Sequence, residues 1–184
     1  ILGGFKKLAK EMPRGPILLL ENDLELVENK KETYSQLKKS INFLKKHKVI
    51  QVRLRSKLNP GEPFEGLRKY KQYWSNTLFS RLKRFFRPSK AHKLIGTSTY
   101  YLDNPEKIHP DVVKKISKGF YLVPSSVMTW ANLAILVDRD IYLKNIIKKA
   151  EKTNSKKNIN GFKNIEIEMN NSWWRNNEFK ILVA

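Results

Sequence analysis

The chain has 184 residues and no cysteine, which excludes disulfides, thiolate catalysis and cysteine–zinc sites. Hydrophobic residues make up 40% of it, with 9 Phe, 7 Tyr and 4 Trp; that excludes a disordered chain, and no apolar run is long enough to span a membrane. The formal net charge of +20, from 37 Lys+Arg against 17 Asp+Glu, implies attraction to something anionic: nucleic acid, an anionic membrane surface or a phosphorylated substrate.

Taken in chain order, "GGFKKLAKEMPRG" reads as the end of a helix closed by Pro13 and Gly15. Because residue 1 is Ile and lies inside that pattern, an N-terminal part is expected to precede it, and any signal or anchor with it. Ile17 to Leu20 have no polar face, so an interior strand of a parallel sheet is expected. Glu21, Asn22 and Asp23 follow directly, with Glu25 just beyond. Carboxylates past the C-terminal end of such a strand stand where open α/β sheets bind ligands; the plain alternative is that they solvate a loop. Glu21 and Asp23 could hold a hard divalent ion, Mn²⁺ or Mg²⁺, whose shell phosphate oxygens and water would complete.

Asn29 and Glu32 have capping-box spacing and open a helix that carries Leu37, Ile41 and Leu44 on one face. "VIQVRLR" alternates, with Ile50, Val52 and Leu54 on one side and Gln51, Arg53 and Arg55 on the other. Strand, helix and strand predict a right-handed βαβ unit. After the loop "NPGEPFEG", no acid occurs between Glu65 and Asp103, whereas nine Lys and Arg residues from Arg68 to Lys93 are interleaved with Tyr70, Tyr73, Trp74, Phe79, Phe85 and Phe86. Such a stretch is either a solvated helix face over packed aromatics or a groove for single-stranded nucleic acid.

"TSTYYL" reads as a short strand, "HPDVVKKIS" as a short helix and "GFYLVP" as a strand. "WANLAILVDRDIYLKNIIKKAEK" reads as a buried segment turning into an amphipathic helix that Asp138 or Asp140 caps. "TNSKKNING" is a loop, and "IEIEM", "SWWRNNE" and "FKILV" close the chain as strand or turn, helix and strand. In a strand-like "IEIEM", Glu166 and Glu168 point to the same side. His47, His92 and His109 have no ligand-like spacing.

"GGFKKLAKEMPRGPILLLENDLELV" resembles the central segment of nucleotide-sugar glycosyltransferases of the A-type fold, especially the large family-2-like group. The order of helix, apolar strand and acidic motif matches, with Glu21-Asn22-Asp23 in place of DxD. "IEIEMNNSWWRNNEFKI" resembles that family's acid, helix and aromatic-Lys-Ile layout, and "VPSSVMTWANLAILVDRDIYL" resembles its acceptor-side segment.

The resemblance implies an α/β fold, a mostly parallel central sheet flanked by helices, over residues 1–184 as one glycosyltransferase-like domain. It implies transfer of a sugar from a nucleotide-sugar donor to a glycan, protein or lipid hydroxyl. Asp23 and Glu21 would hold Mn²⁺ or Mg²⁺, and Asn22 between them would bind substrate. Glu166, or Glu168 as the close alternative, would deprotonate the acceptor in an inverting reaction, and Trp130 and Asn132 would line the sugar pocket. The alternative is a basic nucleic-acid-binding module without catalytic activity, supported by the charge and the Arg68–Lys93 stretch but by no RNP, helix-turn-helix or zinc-finger signature.

Overall fold

A computed structural model describes residues 2–21, 26–54, 65–132, 134–153, 155 and 160–184. Asn22, Asp23 and Glu25 lie outside the described residues. The N-terminal helix α1 (Leu2–Glu11) leads through Gly15 into β1 (Pro16–Leu19). Gly15 holds φ +115° and its carbonyl accepts from the Arg139 N–H at 2.9 Å, a backbone shape that a side chain would strain. Helix α2 (Lys30–His47) starts at Asn29, whose side chain accepts from the Glu32 N–H at 3.0 Å, as the spacing predicts. Strand β2 (Gln51–Arg53) follows.

The basic stretch forms three short helices: α3 (Glu65–Trp74), α4 (Leu78–Phe86) and α5 (Pro88–His92). A 3₁₀ turn (Ile95–Thr97) runs into α6 (Ser98–Tyr101), so "TSTYYL" is helical rather than a strand. After α7 (Pro105–Ile108), the "DVVKKIS" segment turns and enters β3 (Lys114–Ser117) instead of forming a helix. β3 hairpins into β4 (Phe120–Pro124).

Strand β5 (Ile135–Asp138) ends at Asp138, whose carboxylate accepts from the N–H groups of Asp140 and Ile141 at 3.0 Å and so caps α8 (Arg139–Ile141). A π-helical turn (Tyr142–Ile147) and α9 (Lys148–Lys152) continue it. Two short helices, α10 (Ile165–Met169) and α11 (Ser172–Asn176), precede β6 (Lys180–Val183).

The six strands make one sheet in the order β1-β5-β2-β6-β4-β3, with helices on both faces. The expectation of a mostly parallel sheet is corrected: only β2 and β6 pair in parallel, and the other adjacent pairs are antiparallel. The physical reason is β5. It returns between β1 and β2, antiparallel to each, so the α2 crossover joins two strands of one direction that are not neighbours. β1 is also corrected from an interior strand to the end of the order; Ile17 is buried while Leu18 and Leu20 are exposed.

Apolar side chains alternate through the sheet. Ile17, Ile135, Val137, Ile181, Val183, Tyr121 and Val123 face α1, the helix from 139 to 152, Trp130 and Trp174. Val52, Leu136, Leu182 and Phe120 face Leu44 on α2. β2 lies inside this stack with both faces covered, so Gln51 and Arg53 are buried rather than turned to solvent as the alternation implies.

Candidate functional site

One line of paired residues crosses the sheet at a single level. Leu19 pairs with Ile135, Ile135 with Arg53, Arg53 with Val183 and Val183 with Tyr121. β1, β2 and β6 all exit at this level, and β5, being antiparallel, enters at it. Three features therefore share one end of the sheet: Glu21 two residues past Leu19, Arg53 itself, and Asn132 three residues before Ile135. The reversed β5 that breaks the parallel pattern is what carries Asn132 to the acidic end of β1.

The segment from Met128 to Asn132 forms no strand, and side chains from elsewhere hold it. The Trp174 indole N–H donates to the Met128 carbonyl at 2.7 Å. The Arg53 guanidinium donates to the Thr129 carbonyl and, at 2.8 Å, to the Tyr100 hydroxyl. The Asn170 amide brackets Trp130, accepting from its N–H at 2.8 Å and donating to its carbonyl at 3.1 Å. The Asn132 N–H donates to Glu166 Oε1 at 2.6 Å. Backbone groups away from a ladder must be satisfied somewhere, and here each bond also fixes the position of the segment.

Glu166 is partly buried and Glu168 is 1% exposed. Of the strand or turn expected at "IEIEM", the strand is corrected to a helical turn, because Asn164 accepts from the Glu166 N–H at 2.8 Å and caps it. In a helix, residues two apart point to opposite sides. Glu166 accordingly reaches Asn132, whereas Glu168 turns away and accepts from the Ser155 N–H at 3.2 Å. The helical turn separates two acids that a strand would have kept together.

Asn132 meets Glu166 through its backbone N–H, and the side chains of Trp130 and Asn132 are engaged elsewhere. The Trp130 ring is buried, lies 6.1 Å from Tyr142 in a stacked arrangement and meets Trp174 edge-on at 5.4 Å. Its indole N–H donates to Asn132 Oδ1 at 3.0 Å, which spends the side-chain acceptor of Asn132. Trp130 thus fixes the Asn132 side chain, and the Asn132 backbone holds Glu166.

Glu21 is partly buried at the exit of β1. Its hard carboxylate oxygen suits Mn²⁺ or Mg²⁺. Among the described residues no group of three or more His, Asp or Glu gathers to hold a metal. A pair of carboxylates completed by phosphate oxygens needs no such group. Asp23, the other half of the pair, lies outside the described residues.

Two features escaped the sequence reading. Arg53 is a buried cation whose recorded hydrogen bonds go to a carbonyl and a phenol, and among the described residues it forms no ion pair. A basic residue in so short a strand was its only signal. His109 is buried against Trp74, ring centroids 4.4 Å apart, and shares a 2.9 Å hydrogen bond with the Tyr70 hydroxyl. Burial, with the nearby Arg84 charge, lowers the His109 pKa to about 4, while burial pushes Tyr70 up to about 12. Comparison with family models, with curated proteins and with solved structures finds no match to this chain.

Proposed function

We propose that this chain is a metal-dependent glycosyltransferase, moving a sugar from a nucleotide-sugar donor to a hydroxyl acceptor. The observation that carries the reading is the 2.6 Å hydrogen bond from the Asn132 N–H to Glu166 at the end of the sheet where β1 delivers Glu21. Acids and a pinned backbone segment then surround one edge, as a donor with a leaving diphosphate and an acceptor with a proton to lose require.

In this scheme Glu166 is the general base. The Asn132 N–H holds Oε1, and Oε2 takes the proton of the acceptor hydroxyl as that oxygen bonds to the anomeric carbon of the donor sugar and the bond from that carbon to the diphosphate breaks, releasing the nucleoside diphosphate. Asn132 holds Glu166 and is itself held by the Trp130 indole, and Asn170 and Arg53 keep their segment from shifting. Glu21 and Asp23 would hold Mn²⁺ or Mg²⁺, which when bound would offset charge on the leaving diphosphate.

The test compares Glu166→Gln with Glu168→Gln on a panel of nucleoside-diphosphate sugars with Mn²⁺. Gln keeps an oxygen for the Asn132 N–H, so the segment stays pinned while the base is lost. Glu166→Gln should lower kcat by about 10²–10⁴-fold with donor binding unchanged. Glu168→Gln should leave kcat nearly intact. Full transfer by Glu166→Gln, or loss confined to Glu168→Gln, would overturn the assignment.

A further inference from the structure

Helix α4 is built inside out. Thr77 caps it, accepting from the Ser80 N–H at 3.2 Å, and Pro88 ends it by opening α5. Its one buried residue is a serine, Ser80, whose hydroxyl meets Thr77 Oγ1 at 2.9 Å. On either side of Ser80, cations pack over rings. Lys83 Nζ lies 4.5 Å from the Phe79 ring centroid, and the Arg84 guanidinium lies 4.9 Å from that of Trp74 and donates to the Tyr73 carbonyl.

The opposite side is apolar and faces outward. Leu78, Phe79, Leu82, Phe85 and Phe86 are between 47% and 79% exposed. At 3.6 residues per turn they cover about a third of the helical wheel, directly across from Ser80. A helix that docks on its own core turns its apolar stripe inward. This one turns it to the surface, with the exposed Arg81 beside the stripe, and the exposed Arg87 and Lys90 follow at the C-cap and on α5.

We propose that α4 seats this protein on an anionic lipid bilayer, its five apolar side chains entering the boundary between headgroups and acyl chains and its cations pairing with acidic headgroups. Apolar residues on one face with Lys and Arg around them is the pattern of helices that lie in a membrane interface. No helix among the described residues is long and apolar enough to cross a membrane, so the contact is one of surface seating.

Charge decides among the occupants. A second copy would bring the same cations against these, on a chain of net charge +20. Single-stranded nucleic acid could stack on the exposed Phe79, Phe85 and Phe86 and pair with the cations, but it would leave Leu78 and Leu82 uncovered, and Tyr70 and Tyr73 are buried. An acidic bilayer satisfies both features together. The inference is independent of the glycosyltransferase reading.

The test uses the full chain in co-sedimentation with phosphatidylcholine vesicles with and without about 30% phosphatidylglycerol, at about 0.1 M and about 0.5 M salt. Wild type should sediment with the acidic vesicles and much less with neutral ones. The double substitution Phe85→Ser and Phe86→Ser, both on exposed side chains, should weaken partitioning by about tenfold or more with an unchanged circular dichroism spectrum. Arg81→Gln, Arg87→Gln and Lys90→Gln together should weaken it at low salt and flatten the salt dependence.

Equal partitioning of the Phe variant and wild type would overturn the proposal, leaving charge alone. So would a wild type that ignores acidic vesicles, a Phe variant whose only change is loss of self-association, or tighter binding to single-stranded DNA than to lipid.

Discussion

Acidification should unfold this protein partly through one residue, His109. The ring is buried between Tyr70 and Trp74, with the Arg84 guanidinium packed on the far side of the cluster over Trp74. Burial and then the Arg84 charge both oppose protonation, lowering the pKa from 6.5 to about 4. The folded value lies below the unfolded one, so folding favours the neutral ring. The resulting stability is complete above about pH 6.5 and is lost progressively as pH falls toward 4.

A shift of that size corresponds to about 3 kcal/mol in all, most of it gone by about pH 4.5. Urea unfolding of wild type and His109→Gln between about pH 7.5 and about pH 4.5 isolates the effect, since every other titrating group is common to both. The variant should be less stable near neutrality, because it loses the Tyr70 hydrogen bond and ring packing, but its stability should fall less steeply with acid. Parallel curves for the two proteins would refute the argument, because the buried imidazole would then contribute nothing to the pH dependence.

Three substitutions probe the frame around the site by urea midpoint. Gly96→Ala would place a Cβ 2.5 Å from the Val127 carbonyl oxygen, beside the pinned segment, and should cost about 1–3 kcal/mol; an unchanged midpoint would mean that the 3₁₀ turn yields freely. Arg53→Lys cannot reproduce the paired bonds to Thr129 and Tyr100 and should cost about 1–3 kcal/mol, whereas a neutral result would remove Arg53 from the support of the site. Asn29→Ala removes the cap of α2 and should cost about 1 kcal/mol, with helix loss visible by circular dichroism near the midpoint.

Local signals in the sequence carried much of the fold. Asn29 at the start of α2, Asp138 (one of two candidate caps) at the start of α8, and the strands β4 and β6 form where their residue types predict, whereas β5 was legible only as a buried segment. Strand order did not follow, because the direction in which β5 is threaded between β1 and β2 depends on contacts far apart in sequence. Five-residue windows failed for a related reason. "IEIEM" alternates like a strand, but the Asn164 cap and the packing of Ile165 and Met169 into the core favour a helical turn.

The site was legible as residue types but not as partners. Glu166 and Asn132 are 34 positions apart, and nothing local joins them. Trp130 stood out as an aromatic residue near the acceptor side, yet its ring belongs to the core beside Tyr142 and Trp174. Arg53 looked like an outward-facing member of an alternating strand, which a sheet covered on both faces does not allow.

The central claim is that the acids after β1 hold a divalent ion together with a nucleotide. Calorimetric titration of Mn²⁺ into the full chain, with and without a nucleoside diphosphate, tests it most directly. Two carboxylates bind such an ion weakly until phosphate oxygens complete its shell. The account predicts tight Mn²⁺ binding only when the nucleotide is present, and its loss in both Asp23→Ala and Glu21→Ala. Equal binding by wild type and Asp23→Ala, or Mn²⁺ affinity indifferent to the nucleotide, would contradict it.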